Sequence, residues 1–249
     1  MPKALINYVA MLGCSYEDGR DIYPLADFEK LFKVEHLNKA PAVFDYKKLE
    51  WFNGQYMRTM SDQELYEATL PFLTGTGDAA LPVNVSEQFP APKVGPEVSG
   101  VRLNEAGEPV AEGLTVAETK EKLMQLMPLI KERLHFLCDA AEMVRFLFTE
   151  PAVPPVEQII PKKLDAAKTK DVLEASKEFI SAIATMGEEE ADALARQIAE
   201  RLGVKLGDFM MPIRMAVTGS RVSPPLVGSI KILGVEKALE RTDRTLASF

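Results

Sequence analysis

The chain has 249 residues, of which 47% are hydrophobic and 27% are charged, with a formal net charge of −8. The negative charge argues against a protein that coats nucleic acid indiscriminately, because such binding depends on neutralising phosphates, but it leaves room for a local basic surface. No apolar run reaches the roughly 20 residues that span a bilayer, and we recognise no secretory signal, so we expect a cytoplasmic protein without membrane contact.

Cysteine and histidine are too scarce for a disulfide framework or a metal centre. Cys14 and Cys138 lie far apart without CxxC spacing, and His36 and His135 are the two histidines. We therefore expect reduced thiols and no metal site. Motifs for phosphate-binding loops, nucleophile elbows and zinc proteases are absent from the sequence as well. The residues alone predict a helical binding or interaction module, and they do not favour an independent enzyme.

Helical spacing of apolar residues dominates the first 60 residues. Helices are predicted over residues 2–13, 24–34 and 45–58. The predicted apolar faces consist of Leu5, Tyr8, Val9 and Leu12 in the first helix and of Leu25, Phe28, Leu31 and Phe32 in the second. In the third, the dipeptide Asn53-Gly54 predicts a break or bend.

A capping box starts the next helix, because Ser61 stands three residues before Glu64. From about residue 74 to residue 113 the pattern changes to Gly, Pro, Val and Ser without a helical period. We interpret this stretch as an insertion whose segment NEAGE closes a small β-hairpin.

The chain from Thr115 to its last residue is predicted to form an all-helical bundle. Apolar spacing returns from Thr115, and Pro128 predicts a break or kink in that helix. A proline-rich joint at residues 150–155 separates it from the rest. Four more helical stretches are predicted over residues 166–185, 187–202, 206–215 and 224–247.

The loop TGSRVSPP, residues 218–225, combines a glycine, two prolines and three short hydroxyl side chains. This chemistry fits a stiff connector and a recognition surface equally well. From Arg201 to Phe249, eight basic residues face four acidic ones. A basic binding face and an ordinary solvated helical face both agree with that count.

Three segments carry a family resemblance. The segment NKAPAVFDYKKLEWFNGQYMR resembles the pattern SKxPAVFDxxKLxWLNGxYIR of bacterial-type glutamyl-tRNA synthetases. The opening PKALINYVAMLGCSYEDGRDIY resembles that family's PEALLNYLALLGWSxxDxxEIF segment, and the closing KLGDFMMPIRMAVTGSRVSPPLVGSIKILGVEKALERT is similar to KLGxxMxPLRxALTGSxxxPxLFEILxLLGKExxLxRL. The matches occur in the family's order and cover both ends of the chain.

The resemblance implies an all-α fold with three parts. Residues 1–60 would be the end of a stem-contact region, residues 61–150 a first anticodon-binding helical domain with the insertion, and residues 151–249 a second one. The HIGH-like and KMSKS-like motifs, which bind ATP in the family's catalytic domain, are absent from the sequence. We therefore expect a tRNA-binding chain that is inactive alone and has no cofactor of its own.

In the intact enzyme, a class I ligase, ATP and Mg²⁺ would activate glutamate for transfer to tRNA. The resemblance implies tRNA(Glu) as the partner, leaves tRNA(Gln) open as a second one, and adds the catalytic domain of the same polypeptide, in a monomer. The rival interpretations are a stand-alone helical RNA-binding module and a protein-interaction scaffold whose basic C-terminal face binds an acidic partner.

Individual residues follow from their positions in the family's motifs, and Arg133 corresponds to the arginine of a further segment, KERxxxL, which LIKERLHFL resembles. The implied anticodon contacts are Arg133, Arg214, Ser223, Pro224 and Leu226, and the implied stem contacts are Lys48 and Trp51. Arginine offers only hydrogen-bond donors, so Arg133 would favour a cytosine, with its acceptors O2 and N3, over a guanine at the last anticodon position. An arginine paired with a nearby carboxylate remains the alternative for Arg133, and a core position remains the alternative for Trp51.

Overall fold

The computed structural model describes residues 1–14, 19–37, 41–76 and 92–249. Within these ranges the chain is built of α-helices and one small antiparallel sheet, which confirms the predicted all-α class. The helices are α1 (Pro2–Gly13), α2 (Leu25–Leu31), α3 (Tyr46–Arg58), α4 (Asp62–Thr74), α5 (Pro96–Ser99), α6 (Val116–Lys131), α7 (Asp139–Phe148), α8 (Val156–Ile159), α9 (Ala166–Ala182), α10 (Glu188–Arg201), α11 (Leu206–Thr218), α12 (Leu226–Leu233) and α13 (Val235–Leu246). The strands are β1 (Val101–Leu103) and β2 (Pro109–Ala111). None of the helices in these ranges is long and apolar enough to cross a membrane.

Helices α1 and α3 pack around a small aromatic core that includes Tyr8. The predicted apolar face of α1 is wrong in part, because Leu5 and Val9 are 44% and 50% exposed. A buried polar residue, Asn7, takes a core position instead. Its Nδ2 donates to the carbonyl of Asp21, and its Oδ1 accepts from the N–H of Tyr23, at 2.9 and 2.8 Å. These hydrogen bonds satisfy a group whose burial would otherwise be costly, and they rotate the helix away from the simple apolar pattern.

The second helix departs from its pattern in the same way. In α2 only Phe28 is buried, whereas Leu25 and Phe32 of the predicted face are 56% and 49% exposed. The first 46 residues therefore present apolar side chains to the outside of the described structure.

The helices do not break at the two predicted positions, and the alternative of a bend or kink there stays a prediction. Helix α3 continues through Asn53-Gly54, and the side chain of Asn53 accepts a hydrogen bond from the amino group of Met1 at 3.0 Å. Helix α6 likewise continues through Pro128 to Lys131. Its neighbours Leu126, Met127 and Ile130 are fully buried, so core packing outweighs the backbone hydrogen bond that proline cannot make.

A second core lies between α4, α6 and α7. The capping box of Ser61 and Glu64 is present at the start of α4, as predicted. The hairpin over NEAGE is confirmed as well, with Val101 paired to Ala111 and Leu103 to Pro109. Residues 77–91 of the predicted insertion lie outside the described residues.

Helices α9 to α13 enclose two further cores. The single helix predicted over residues 224–247 is wrong, because Gly234, with φ of 102°, separates α12 from α13. Helix α12 packs back against α6, where a Cβ added to Gly228 would come within 2.5 Å of Leu129 Cδ1. The cores lie on either side of the predicted domain joint at residues 150–155, while the domain boundaries themselves stay a prediction.

Candidate nucleic-acid interface

A groove of about 740 Å³ lies between the two helical bundles. One side, which we call the α6–α7 wall, consists of residues 133–143 between and along these helices. The other side, the loop wall, is the loop of residues 218–225. The described residues that line the groove are Pro92, Lys93, Arg133, His135, Cys138, Asp139, Glu142, Met143, Ser220 and Val222.

Arg133 is an exposed side chain of the α6–α7 wall. Its backbone N–H donates to the carbonyl of Ile130 at 2.8 Å, which continues the turn at the end of α6. No carboxylate among the described residues forms an ion pair with it, so the interpretation as a paired surface arginine is not supported. The guanidinium therefore keeps all its donors for a ligand in the groove.

Arg214, on α11, holds the backbone of the loop wall through hydrogen bonds. Its Nη1 donates to the carbonyl and the Oγ of Ser223 and, at 2.8 Å, to the carbonyl of Pro224. Burial, followed by the positive charge of Arg133, lowers the pKa of the Arg214 guanidinium below its ordinary value. Of the two arginines, Arg133 lines the groove, whereas Arg214 holds the backbone of the loop wall.

The side chains of Ser223, Pro224 and Leu226 are buried, with Ser223 at 4% and Leu226 at 3% exposure. In this conformation none of the three offers its side chain to a base. Ser223 and Pro224 instead accept the hydrogen bonds of Arg214, and Leu226 belongs to the core around α9 to α13. Their place in the structure is that of supports for the loop.

The exposed part of the loop is its tip. Gly219, with φ of 69°, turns the chain out of α11 in a left-handed conformation that side-chain residues rarely adopt. Val222 is 71% exposed, and it lines the groove together with Ser220. We did not predict a role for Val222 from the sequence; the signal that could have identified it is an apolar residue between the polar residues of a stiff loop.

Three further groove residues, Lys93, Asp139 and Glu142, were not predicted as site residues because nothing in their local sequence marks them. Lys93 belongs to the insertion, and its Nζ lies 3.9 Å from Glu142 Oε1. Asp139 Oδ2 accepts from the N–H groups of His135 and Phe136 at 3.0 and 2.8 Å, and so fixes the bend before α7. Only the fold brings these residues next to Arg133.

Cys138 also lines the groove, but its chemistry is unreactive. Burial, followed by the charge of Asp139, raises the pKa of the thiol to about 11. Both cysteines are free in the structure. Among the described residues, moreover, no group of three or more His, Cys, Asp or Glu side chains is arranged to hold a metal ion.

A second, smaller cavity of about 320 Å³ lies beside α3. Its lining consists of Lys47, Glu50, Trp51, Gly54, Arg58 and His135. Trp51 is 42% exposed, which excludes a core position, and its ring meets that of Phe52 edge-on at 5.0 Å. Lys48 is exposed on the same helix.

The two cavities adjoin at His135, which lines both of them. Its Nδ1 lies 2.8 Å from Glu50 Oε1, and Arg58 Nε lies 2.8 Å from Glu132 Oε2. These contacts join α3 to the α6–α7 wall. A continuous surface therefore runs from the predicted stem-contact residues to the groove.

The basic excess counted from residue 201 onward does not form an open basic face. Arg201 pairs with Glu178, and Lys237, Arg241 and Arg244 all pair with Glu150. Lys231 and Arg221 donate to backbone carbonyls. Most of the excess charge is therefore engaged within the protein.

Comparison with known proteins agrees with the resemblance found in the sequence. Residues 64–246 match the family model of the anticodon binding domain. A glutamate–tRNA ligase from Treponema denticola is 54% identical over 250 residues, which cover 99% of this chain and 46% of that protein. A glutamate–tRNA ligase from Treponema pallidum (strain Nichols) is 43% identical over 246 residues, which cover 99% of this chain and 44% of that protein.

A solved structure shares the fold. The crystal structure of a glutamate tRNA ligase from Elizabethkingia meningosepticum matches with a TM-score of 0.60 and 24% identity, over 99% of this chain and 41% of that one. The chain thus spans about half the length of the curated relatives it matches. Because the family model covers well over half of its residues, the chain belongs to the anticodon binding domain family, and its relatives named here are glutamate–tRNA ligases.

Proposed function

We propose that this chain binds the anticodon loop of tRNA(Glu) in the groove between its helical bundles, as the tRNA-binding part of a glutamate–tRNA ligase. The observation that carries the proposal is Arg133, an exposed guanidinium in the groove that has no ion-pair partner among the described residues, opposite a loop wall that Arg214 holds in place. Single-stranded RNA loops are recognised through splayed bases, and a groove of this kind between rigid helices provides room for them.

Arg133 is the residue that would read a base. Its donors match the O2 and N3 acceptors of cytosine, whereas guanine presents N–H donors on the same edge. A polar base contact of this kind contributes about 1 to 3 kcal/mol of discrimination in related groove readout. Glutamate anticodons end in C and glutamine anticodons end in G, so Arg133 favours tRNA(Glu) over tRNA(Gln).

The loop wall contributes shape. Arg214 holds the backbone at Ser223 and Pro224, and this support presents Val222 at the surface. An exposed aliphatic side chain on a stiff loop can lie against the face of an unstacked base. Arg214, Ser223, Pro224 and Leu226 act in this proposal by holding the loop, and the direct contacts pass to Arg133 and Val222.

The anticodon stem would follow the surface along α3. Lys48 is exposed and can approach a phosphate, and the half-exposed ring of Trp51 can lie against the backbone of the stem. This surface is continuous with the groove, because His135 lines both cavities.

The exposed apolar residues of the first helices support a partner within the same polypeptide. Leu5, Val9, Leu25, Phe32 and Val34 are between 44% and 68% exposed, and the relatives are about twice as long as this chain. We propose that this face packs against the catalytic domain of a cytoplasmic, monomeric ligase. That domain would bind ATP and Mg²⁺ and activate glutamate, while the chain described here would be inactive alone.

A protein-interaction scaffold with a basic C-terminal face is less well supported. Lys237, Arg241 and Arg244 all pair with Glu150, and Lys237 also pairs with Glu240, so this part of the basic excess is partly neutralised within the protein.

Binding of the 249-residue chain to a labelled anticodon stem-loop of tRNA(Glu), measured by fluorescence anisotropy, tests the proposal. The control is the same hairpin with its loop bases replaced. We expect tight binding of the first, at least tenfold weaker binding of the second, and a decline with salt, because phosphate contacts release counterions. Equal affinity for both hairpins would overturn the proposal.

A further inference from the structure

We propose that Arg241 is a positioning residue that fixes the distance between the two walls of the groove. This inference rests on the proposed function, because it assigns to Arg241 the geometry in which Arg133 and the loop wall meet a base. Arg241 lines neither cavity, and although it stands at the arginine of the closing motif, that motif alone assigned it no contact with tRNA.

The side chain of Arg241 is 2% exposed, and it lies between the ends of two helices. Its Nη1 donates to the carbonyls of Phe146 and Val217 at 2.9 and 2.7 Å. Its Nη2 donates to the carbonyl of Thr149 at 3.2 Å and to Glu150 Oε2 at 3.1 Å.

These acceptors belong to the elements that form the walls. Phe146 lies in the last turn of α7, whose first turns line the groove with Asp139, Glu142 and Met143. Val217 lies in the last turn of α11, immediately before the loop of residues 218–225. One guanidinium therefore connects the helix that carries the α6–α7 wall to the helix that carries the loop wall.

Helix ends explain why an arginine suits this place. The last four carbonyls of a helix have no partner within the helix, and the helix dipole places partial negative charge there. Arg241 satisfies one such carbonyl on α7 and one on α11 with a single planar group. Because the geometry of a guanidinium is rigid, the bonds determine how far apart the two helix ends lie.

The backbone near the ends of α7 and α11 is closely packed. A Cβ added to Gly219 would come within 2.6 Å of Pro151 Cβ, and one added to Gly100 would come within 2.9 Å of the Phe148 carbonyl. Burial of a charge adds little net stability by itself, since desolvation offsets the attraction. The specific arrangement of carbonyls therefore points to a role in geometry.

Arg244 provides a matched control on the same helix, α13. It pairs with the same carboxylate, Glu150, at 2.6 Å and donates to the carbonyl of Pro151 at 2.8 Å. None of its hydrogen bonds reaches α7 or α11 in the described structure. A substitution there removes a neighbouring ion pair but leaves the connection between the walls in place.

The test is a double-mutant cycle on stem-loop binding with Arg241→Met and Arg133→Ala in the 249-residue chain. We expect R241M to weaken binding about tenfold and R244M less than about twofold. Arg133→Ala should cost about tenfold in the wild-type background but less than about twofold with R241M, because residues that act as one unit are not additive. Equal factors for R133A in both backgrounds, or wild-type affinity of folded R241M, would overturn the inference.

Two further measurements keep the result interpretable. The first is the thermal midpoint of every variant. Arg241→Lys replaces R241M if R241M does not fold. Loss of the fold in both variants, with R244M intact, would count against a positioning role.

The second measurement reports the distance between the walls without RNA, from spin labels at Val222→Cys and His135→Cys in a chain with Cys14 and Cys138 changed to Ser. R241M should broaden or shift that distance, and an unchanged distance would contradict the inference even if the chain bound no tRNA.

Discussion

The two walls of the groove differ in what they leave free. On the α6–α7 wall, Arg133 is exposed and has no ion-pair partner among the described residues. On the loop wall, Arg214 uses Nη1 in three bonds to the loop, and Ser223 is buried. The difference indicates that the first wall supplies donors to a ligand, while the second supplies a preformed shape. Substitutions should therefore separate binding from stability on one wall and affect both together on the other.

The largest effect is expected for Arg214→Met. The change leaves the carbonyls of Ser223 and Pro224 without their donor and loosens the loop, and we expect the free energy of unfolding to fall by about 3 kcal/mol, with stem-loop binding lost as well. Urea unfolding followed by circular dichroism measures the first quantity. Arg221→Met is the control, because the side chain of this exposed residue bonds, among the described residues, only the carbonyl of Gln158 and should change stability by less than about 0.5 kcal/mol.

Arg133→Ala should show the opposite combination. The affinity for the stem-loop should fall about tenfold, while the unfolding free energy stays within about 0.5 kcal/mol of the wild type, because the side chain is exposed and has no ion-pair partner in the described part of the chain. Anisotropy titration and urea unfolding of the same sample measure both. Arg102→Ala, on the exposed face of the hairpin, is the matched control and should change neither quantity. A large loss of stability in R133A would mean that the two walls do not differ as described.

Lys48→Gln extends the comparison to the surface along α3. Removal of one phosphate contact should weaken binding of full-length tRNA about threefold and reduce the slope of log affinity against log salt by about 1. Binding of the isolated anticodon loop should not change if Lys48 contacts the stem. The same loss with both RNAs would place Lys48 at the groove instead.

The smallest effect is expected for Glu150, which accepts a hydrogen bond from Arg241. Partial burial alone would raise its pKa, but the guanidinium of Arg241, followed by Arg244 and Lys237, brings the pKa below the ordinary value. Because the folded pKa is lowered, the contribution to stability is present above the ordinary glutamate pKa and is lost as the pH falls through the lowered one. Unfolding between about pH 6 and pH 3 should show a shallower loss of stability for Glu150→Gln, by less than about 1 kcal/mol, since the carboxylate is partly exposed. Identical pH profiles would contradict the assignment.

The sequence predicted the helical class because apolar spacing and caps are local signals. The capping box at Ser61 and the hairpin over NEAGE both form where the residues indicated. The predicted breaks at Asn53-Gly54 and Pro128 failed because a turn preference or a missing N–H is worth little against a fully buried helix face. The exposed apolar face of α1 was missed because Asn7, a polar residue, has its hydrogen bonds satisfied inside the core.

The residues of the candidate site also fall into two groups, those that the sequence could predict and those that it could not. Arg133 and Arg214 could be placed from motif positions alone, but their different exposure depends on how the two bundles meet. Lys93, Val222 and Arg241 act through contacts between segments far apart in the chain, with Arg241 bonded to Phe146 across 95 positions. No local pattern carries that information. Burial of Ser223 and Leu226 likewise follows from tertiary packing.

Discrimination between bases at the last anticodon position shows whether the α6–α7 wall reads a base through Arg133. The 249-residue chain and its Arg133→Gln variant are titrated with two stem-loops that differ only in C or G at that position. We expect the wild type to prefer C by about tenfold and the variant, whose glutamine offers both a donor and an acceptor, to lose most of that preference. An unchanged C-to-G ratio in the variant would contradict base reading by Arg133.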